Sequence, residues 1–193
     1  EVRIILYLRR QDDMIESGLL QQIKTGEIEP DLFELDDAEM PFLGHLRYDE
    51  IIDRWGDAFG QQTLRVRPYG RSVFADDKAI FRDFLECLDR SPELLSRLQW
   101  PAGDPNPSLD AASAWLIAFL KNLGLKGEQH DSLAGILLSY QARFGRSSGR
   151  LFTASQRKRL LEQYANGNER LSGFPAAFFS PLGVEETPQV SEK

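Results

Sequence analysis

The residues Val2-Arg3-Ile4-Ile5-Leu6-Tyr7-Leu8 form a nearly continuous apolar run that is rich in β-branched side chains. Such a run is typical of a parallel strand covered on both faces, because polar and apolar residues need to alternate only where one face meets water. A second run, Thr63-Leu64-Arg65-Val66-Arg67, ends at Pro68. Helical sequence separates the two runs, so the pattern predicts a β-α-β crossover whose strands are parallel neighbours or near-neighbours in one sheet.

Two strands are too few for a stable parallel sheet. We therefore expect that the chain begins inside a larger α/β domain, or that further strands lie in sequence with a helical pattern. Apolar spacing and capping residues predict helices at 12–24, 46–59, 77–88, 131–144 and 153–164, and from Ser108 or Asp110 to Gly124. The helix at 77–88 is expected to bury Phe81, Phe84 and Leu88, and Thr153 with Gln156 is predicted to form a capping box.

The predicted fold class is therefore α/β, with a partial parallel sheet and a mostly helical C-terminal half. A loop is predicted at 101–108, where three prolines and a glycine interrupt any helical pattern. Residues 181–193 are polar and contain two prolines, so they are predicted to be a disordered tail.

Composition excludes several functional classes. Hydrophobic residues make up 41% of the 193 residues and charged residues 27%, as is usual for a soluble globular protein. The formal net charge is −7, so a general affinity for nucleic acid or an anionic membrane is not expected. One cysteine and two histidines argue against a disulfide framework and a metal centre. No apolar run approaches the roughly 20 residues of a membrane span, and the N-terminus lacks a signal-peptide layout, so we expect a cytoplasmic protein.

Arg9 and Arg10 follow the first strand directly and precede the first predicted helix. The turn from a strand to a helix, at the carboxyl edge of a parallel sheet, is where α/β proteins bind ligands. Free backbone N–H groups at the helix start favour an anion, and a guanidinium can hold a phosphate through two hydrogen bonds. Ser17 lies eight residues after Arg9 and could reach the same phosphate. The alternative is structural: Arg9 pairs with Asp12 or Asp13, and Ser17 is merely a small helical residue.

The segment Tyr7-Leu8-Arg9-Arg10-Gln11-Asp12-Asp13-Met14-Ile15-Glu16-Ser17 resembles the second nucleotide-binding element of the sulfotransferases. In that family, an arginine after a strand and a serine in the following helix hold the 3′-phosphate of the sulfate donor, 3′-phosphoadenosine 5′-phosphosulfate. The resemblance assigns these roles to Arg9 and Ser17, whereas Gln11 stands in place of the usual proline. A wider pattern is similar to bacterial sulfotransferase-like proteins associated with surface polysaccharides, through 21–26, 48–55, 66–68, 84–85, 106–109 and 159–164 with Asn168.

This resemblance implies a P-loop-type fold, of which residues 1–180 are the C-terminal portion, with the Gly-rich phosphosulfate-binding loop upstream. It implies that the full-length protein transfers a sulfuryl group from the nucleotide donor to a hydroxyl, with a saccharide or polysaccharide as the acceptor. No catalytic base is assigned, because His45 and His130 lie near helix starts, where histidine often has no chemical role. The alternative from another class is a non-catalytic helical binding module that retains the fold without donor binding.

A basic, hydroxyl-bearing loop, Gly145-Arg146-Ser147-Ser148-Gly149-Arg150, is a further candidate for anion binding. It lacks the lysine and the spacing of a nucleotide P-loop, and it lies in a segment, 143–170, that is rich in arginine. Arg146 and Arg150 have no obvious acidic partners nearby in sequence. If they line the donor or acceptor site, the loop should come within reach of Arg9. The alternative is a mobile surface loop whose arginines are solubilising charge.

Overall fold

The two apolar runs form parallel strands, as predicted. In the computed structural model, β1 spans Ile4–Arg9 and β2 spans Leu64–Tyr69, with Ile4 opposite Leu64 and Arg9 opposite Tyr69. The prediction that the second strand ends at Pro68 is wrong, since β2 continues through this residue to Tyr69. Proline is tolerated at a sheet edge, where no N–H donor is required, and β2 is an edge strand of the two-stranded sheet.

The structure describes residues 2–27, 44–70, 73–74, 76, 78–99, 106–171, 173–174 and 178–180. The predicted tail at 181–193 and most of the predicted loop at 101–108 lie outside the described residues. The chain divides into two compact units. The first unit comprises Glu1–Gln11, Phe42–Gly103 and Leu161–Gly183, and the second comprises Asp12–Pro41, Asp104–Leu160 and Val184–Lys193. The assignment of residues 1–180 to one sulfotransferase-like domain stays a prediction.

Helices dominate the described residues, and the class is mixed α/β, as predicted. Short 3₁₀ helices occur at Gly44–Leu46, Gln61–Thr63 and Pro92–Arg97. The α-helices are α1 (Gln11–Thr25), α2 (Tyr48–Phe59), α3 (Ala79–Cys87), α4 (Ala111–Asn122), α5 (Glu128–Phe144), α6 (Ala154–Gln163) and α7 (Ala165–Asn168). No helix among these described segments combines the length and the apolar character that a bilayer span requires.

In the first unit, the apolar faces of α2 and α3 are only partly covered. The prediction that α3 buries Phe81, Phe84 and Leu88 is wrong, since these side chains are 44%, 42% and 36% exposed. Trp55 and Phe59 on α2 are also exposed, and their rings stack at a centroid distance of 5.5 Å. The physical reason is area: a sheet of two strands presents too little surface to cover the apolar faces of both helices.

The second unit contains a continuous apolar core between α1, α4 and α5. Its fully buried members include Leu109, Ala114 and Ile117. Local capping agrees with the sequence: Asp110 accepts a hydrogen bond from the Ser113 N–H and begins α4. Thr153 and Gln156 form the predicted capping box at the start of α6, with reciprocal hydrogen bonds of 2.9 and 3.0 Å.

Candidate functional site

Arg9 lies at the carboxyl end of β1, where the sequence predicted it. Its carbonyl oxygen accepts a hydrogen bond of 2.7 Å from the hydroxyl of the buried Tyr48. Burial raises the pKa of Tyr48, and the nearby Arg9 charge only partly opposes this shift, so the phenol is a neutral donor. The Arg9 side chain is half-buried, and no carboxylate among the described residues of the first unit forms an ion pair with it. No described carboxylate of its unit therefore compensates this guanidinium.

Gln11 opens α1 two residues later and is fully buried. Its side-chain amide pairs reciprocally with that of Asn168, through hydrogen bonds of 2.7 and 3.2 Å, and also donates to the carbonyl of Leu46. In the sequence, Gln11 stands out only because it replaces the usual proline. Its partner is 157 residues away, so no local spacing could have indicated the pair. The contact anchors the strand-to-helix turn that follows Arg9.

Asp49, in the first turn of α2, is a buried carboxylate held by arginine. One of its oxygens, Oδ2, accepts a hydrogen bond of 3.1 Å from Arg170, which also binds Asp53. The other oxygen, Oδ1, has no hydrogen-bond partner among the described residues and packs against Gly167, where a Cβ would approach it to 2.7 Å. Arg170, counted from the sequence as part of a basic segment, is therefore neutralised by α2.

The first unit also has an open cavity of about 550 Å³ beside α3. Its lining includes Phe74, Arg82, Asp83 and Arg90, and does not include Arg9. Asp83 accepts a hydrogen bond of 2.6 Å from the hydroxyl of Tyr7 on β1, and burial together with this bond raises the pKa of Tyr7. The Tyr7 phenol is thus held protonated.

In the second unit, the acidic start of α1 is neutralised by arginines from the basic segment. Asp12 is fully buried and lies 2.8 Å from Arg157, itself only 6% exposed. Arg150 forms ion pairs with Asp13 and, at 2.8 Å, with Glu16. Burial raises the pKa of Glu16, whereas Arg150 and a hydrogen bond from the Leu151 N–H oppose that shift. These five side chains form an ionic cluster, here called the α1 ionic cluster, in which Asp12, Glu16 and Arg157 are buried and Asp13 and Arg150 are half-buried.

The loop at 145–150 does bind anions, and they are carboxylates of its own unit. The N–H of Ser147 donates to Asp110 at 2.7 Å, and the Arg146 guanidinium donates to the Leu109 carbonyl at 3.0 Å. Burial alone would raise the pKa of Asp110, but hydrogen bonds from Ser113 and Ser147 outweigh it and hold the pKa below its usual range. Sequence reasoning missed these partners because they lie far away along the chain.

Ser17 is half-buried on α1, one helical turn after Asp13. Arg9 and Ser17 fall in different units, so their sharing of one phosphate stays a prediction. The approach of Arg146 and Arg150 to Arg9 stays a prediction for the same reason.

His130 and Cys87 are buried and hydrogen-bonded within the fold, whereas His45 is exposed. His130 is 3% exposed, and its Nε2 lies 2.8 Å from the carbonyl of Ile23 near the end of α1. Cys87 is 2% exposed, as expected of a core residue, and its sulfur accepts a hydrogen bond from Arg67. His45 is exposed on the first 3₁₀ helix. Among the described ranges, no group of His, Cys, Asp and Glu side chains is arranged to hold a metal ion.

Comparison with known proteins yields one relative of this chain. It is similar to an uncharacterized protein of Archaeoglobus fulgidus, with 28% identity over 170 residues, or 88% of the chain. The chain spans 44% of the length of that relative. No protein-family model matches the chain, and no solved structure matches it.

Proposed function

We propose that this chain is the donor-binding part of a sulfotransferase-like enzyme with a P-loop-type fold. The observation that carries the proposal is Arg9, half-buried at the carboxyl end of a parallel strand and uncompensated by any carboxylate described in its unit. A guanidinium in that position can hold a phosphate through two hydrogen bonds, and the first N–H groups of α1 follow at once. The turn itself is anchored by Tyr48 and Gln11.

In this proposal, Arg9 holds the 3′-phosphate of 3′-phosphoadenosine 5′-phosphosulfate, and the Ser17 hydroxyl donates a second hydrogen bond to it. These residues position the donor and do not take part in bond breaking. The acceptor hydroxyl attacks the sulfur and a new S–O bond forms, while the S–O bond to the bridging oxygen breaks and adenosine 3′,5′-bisphosphate leaves with that oxygen. The hydroxyl proton passes to a general base, which this proposal assigns to the longer protein and not to a residue named here. Such transfer depends on positioning and on stabilisation of developing charge.

A saccharide acceptor and a cytoplasmic location belong to the same proposal. The saccharide acceptor rests on the similarity of the motifs to proteins associated with surface polysaccharides. Because the chain spans 44% of its archaeal relative, the activity is proposed for a longer protein that also supplies the Gly-rich phosphosulfate-binding loop. In this proposal, Arg146 and Arg150 contribute less to donor binding than Arg9, since Arg150 already forms ion pairs with Asp13 and Glu16.

The test is a calorimetric titration of the full-length protein with adenosine 3′,5′-bisphosphate. Arg9→Ala should weaken binding by about 1.5–3 kcal/mol, the scale of a hydrogen bond to a charged group. The matched control is Arg65→Ala, on the neighbouring strand, whose exposed guanidinium donates to the carbonyls of Gln62 and Leu64.

Unchanged affinity in Arg9→Ala, with an intact circular dichroism spectrum, overturns the assignment of Arg9. Absence of binding in the wild-type protein supports the alternative of a non-catalytic helical binding module.

A further inference from the structure

The backbone at Arg9 is held on both sides of that residue. Within the sheet, Arg9 is the last residue of β1 and lies opposite Tyr69 of β2. After the strand, the Arg9 carbonyl accepts a hydrogen bond of 2.7 Å from the hydroxyl of Tyr48, whose side chain is buried. Because the rotamers open to a side chain depend on its backbone conformation, these contacts restrict the directions in which the Arg9 guanidinium leaves the strand.

Gln11 fixes the chain again two residues later. Its buried amide pairs with the amide of Asn168 through two hydrogen bonds and also donates to the carbonyl of Leu46 at 3.4 Å. Rotation of this side chain would leave a buried polar group unpaired, which is unfavourable. The turn is therefore held at Arg9 and at Gln11, with only Arg10 between the two points.

The two helices that supply these contacts are joined to each other. Tyr48 is the first residue of α2 and Asn168 is the last residue of α7. Asp49, next to Tyr48, accepts a hydrogen bond of 3.1 Å from Arg170 just beyond α7, and it packs against Gly167 within α7. α2 and α7 thus form one support, here called the α2–α7 frame, on which the turn rests.

A held turn has a consequence for affinity. Fixing the backbone of one residue has an entropic cost that corresponds to a factor of about five to thirty in an equilibrium constant. A site that is ordered before its ligand arrives does not incur this cost on binding, so it binds more tightly through the same contacts. The hydrogen bonds of the α2–α7 frame therefore bear on how well Arg9 binds an anion, although they are made by other residues.

We propose that Tyr48, Gln11 and Asn168 are positioning residues of the donor site, which hold the Arg9 backbone in the conformation that presents the guanidinium to the 3′-phosphate. The inference rests on the proposed function, since it concerns how the same site is preorganised. It gives α7 a part in donor affinity, although Asn168 lies 157 residues from Gln11 in the chain. Removal of the Tyr48 hydroxyl or of the Asn168 amide leaves the Arg9 side chain chemically intact and should still weaken binding.

The test measures the dissociation constant of adenosine 3′,5′-bisphosphate by calorimetry, with the full-length protein at a temperature where circular dichroism shows every variant folded. Tyr48→Phe removes only the hydroxyl, and Asn168→Ala removes the partner of Gln11. Each should raise the dissociation constant by about five- to thirtyfold. The matched control is Asn166→Ala, an exposed asparagine on the same helix, which should bind as tightly as wild type.

A proline substitution separates positioning from a merely structural loss. Gln11 is the first residue of α1, a position that favours proline because the ring fixes φ, and no hydrogen bond among the described residues uses the Gln11 N–H. In the Asn168→Ala background, Gln11→Pro should lower the dissociation constant again by about two- to fivefold. Proline makes no amide pair, so this recovery would come from restriction of the turn and not from a restored hydrogen bond.

The outcomes distinguish this inference from the proposed function. If the wild-type protein does not bind adenosine 3′,5′-bisphosphate, the proposed function fails and the inference fails with it. If wild type binds and Arg9→Ala weakens binding, but Tyr48→Phe and Asn168→Ala bind as wild type does, only the positioning inference is overturned.

A loss of affinity in Asn168→Ala that a folded Gln11→Pro double variant does not reduce also overturns it, because the role of the pair would then be structural. Weaker binding in Tyr48→Phe and Asn168→Ala, with wild-type binding in Asn166→Ala and partial recovery by Gln11→Pro, supports it.

Discussion

The two units use arginine in different ways. In the second unit, Arg157 and Arg150 are held by Asp12, Asp13 and Glu16, and Arg157 is almost fully buried. In the first unit, Arg9 is half-buried at the end of a strand, without a carboxylate partner among its described residues. A paired buried arginine contributes to the fold, whereas an uncompensated one is a candidate for binding an anion. Local density of arginine in a sequence therefore does not locate a binding site.

The largest expected effect concerns the α1 ionic cluster. Arg157→Ala leaves Asp12 buried without its ion-pair partner and should lower the free energy of unfolding by about 3–5 kcal/mol. Arg159→Ala, an exposed position on the same helix, should change it by less than about 0.5 kcal/mol. Urea denaturation followed by circular dichroism measures both. Equal small losses in the two variants would show that the buried pair is no more important than surface charge.

The next effect tests the amide pair behind Arg9. Gln11→Ala should lower the free energy of unfolding by about 1–3 kcal/mol, because the half-buried Asn168 loses its hydrogen-bond partner. In the Gln11→Ala background, Asn168→Ala should lower the free energy of unfolding by much less than it does in the wild-type protein. A double-mutant cycle should give a coupling energy of about 0.5–3 kcal/mol. Gln21→Ala, exposed on α1, is the control. Strict additivity of Gln11→Ala and Asn168→Ala would contradict the pairing.

The pH dependence of stability should separate two carboxylates of the second unit. Burial raises the pKa of Glu16, so the native state binds this proton more tightly and stability falls as the pH rises through the folded pKa. Asp110 has the opposite sign: hydrogen bonds outweigh burial and lower its pKa, so its contribution is present above the ordinary value and is lost on acidification.

The free energy of unfolding of Glu16→Gln, minus that of wild type, should therefore increase as the pH rises above the ordinary range of a glutamate. The same difference for Asp110→Asn should decrease as the pH rises through the acid range. Urea midpoints measured from about pH 3 to pH 7 test both slopes. If the stability difference from wild type changed with pH in the same direction for both variants, the different environments described for Glu16 and Asp110 would be ruled out.

The smallest expected effect is the most diagnostic for the comparison. Arg9→Ala should change the free energy of unfolding by less than about 0.5 kcal/mol, because its guanidinium forms no ion pair with the carboxylates described in its unit. The measurement is the urea titration used for Arg157→Ala. A loss as large as that of Arg157→Ala would make Arg9 a structural residue and remove the distinction between the units.

Features with a local signal could be predicted from the sequence. The parallel pairing of β1 with β2 and the capping box of Thr153 with Gln156 are confirmed, because apolar runs and a three-residue spacing encode them directly. The sequence also shows the helical period of α3. It does not show that Phe81 and Phe84 are exposed, because their exposure depends on which elements pack against them. Periodicity shows which face is apolar and does not show what covers it.

Partners far apart in the chain could not be predicted in this way. Arg150 and Asp13 are 137 residues apart, and Gln11 and Asn168 are 157 apart, so only the folded chain brings each pair together. The position of Arg9 at the strand end followed from the pattern, because strand and turn are local. Its uncompensated charge did not, because that property depends on every carboxylate folded around it.

The contact between Gly167 and Asp49 implies a rule for divergence among homologous chains. Any side chain at 167 would press on a carboxylate oxygen that already faces the backbone, and would displace Asp49 from Arg170. We expect the two positions to co-vary: glycine at 167 wherever 49 is aspartate, and a larger residue at 167 only where 49 has become small. Aligned homologues would then show this coupling even where the surrounding sequence has diverged.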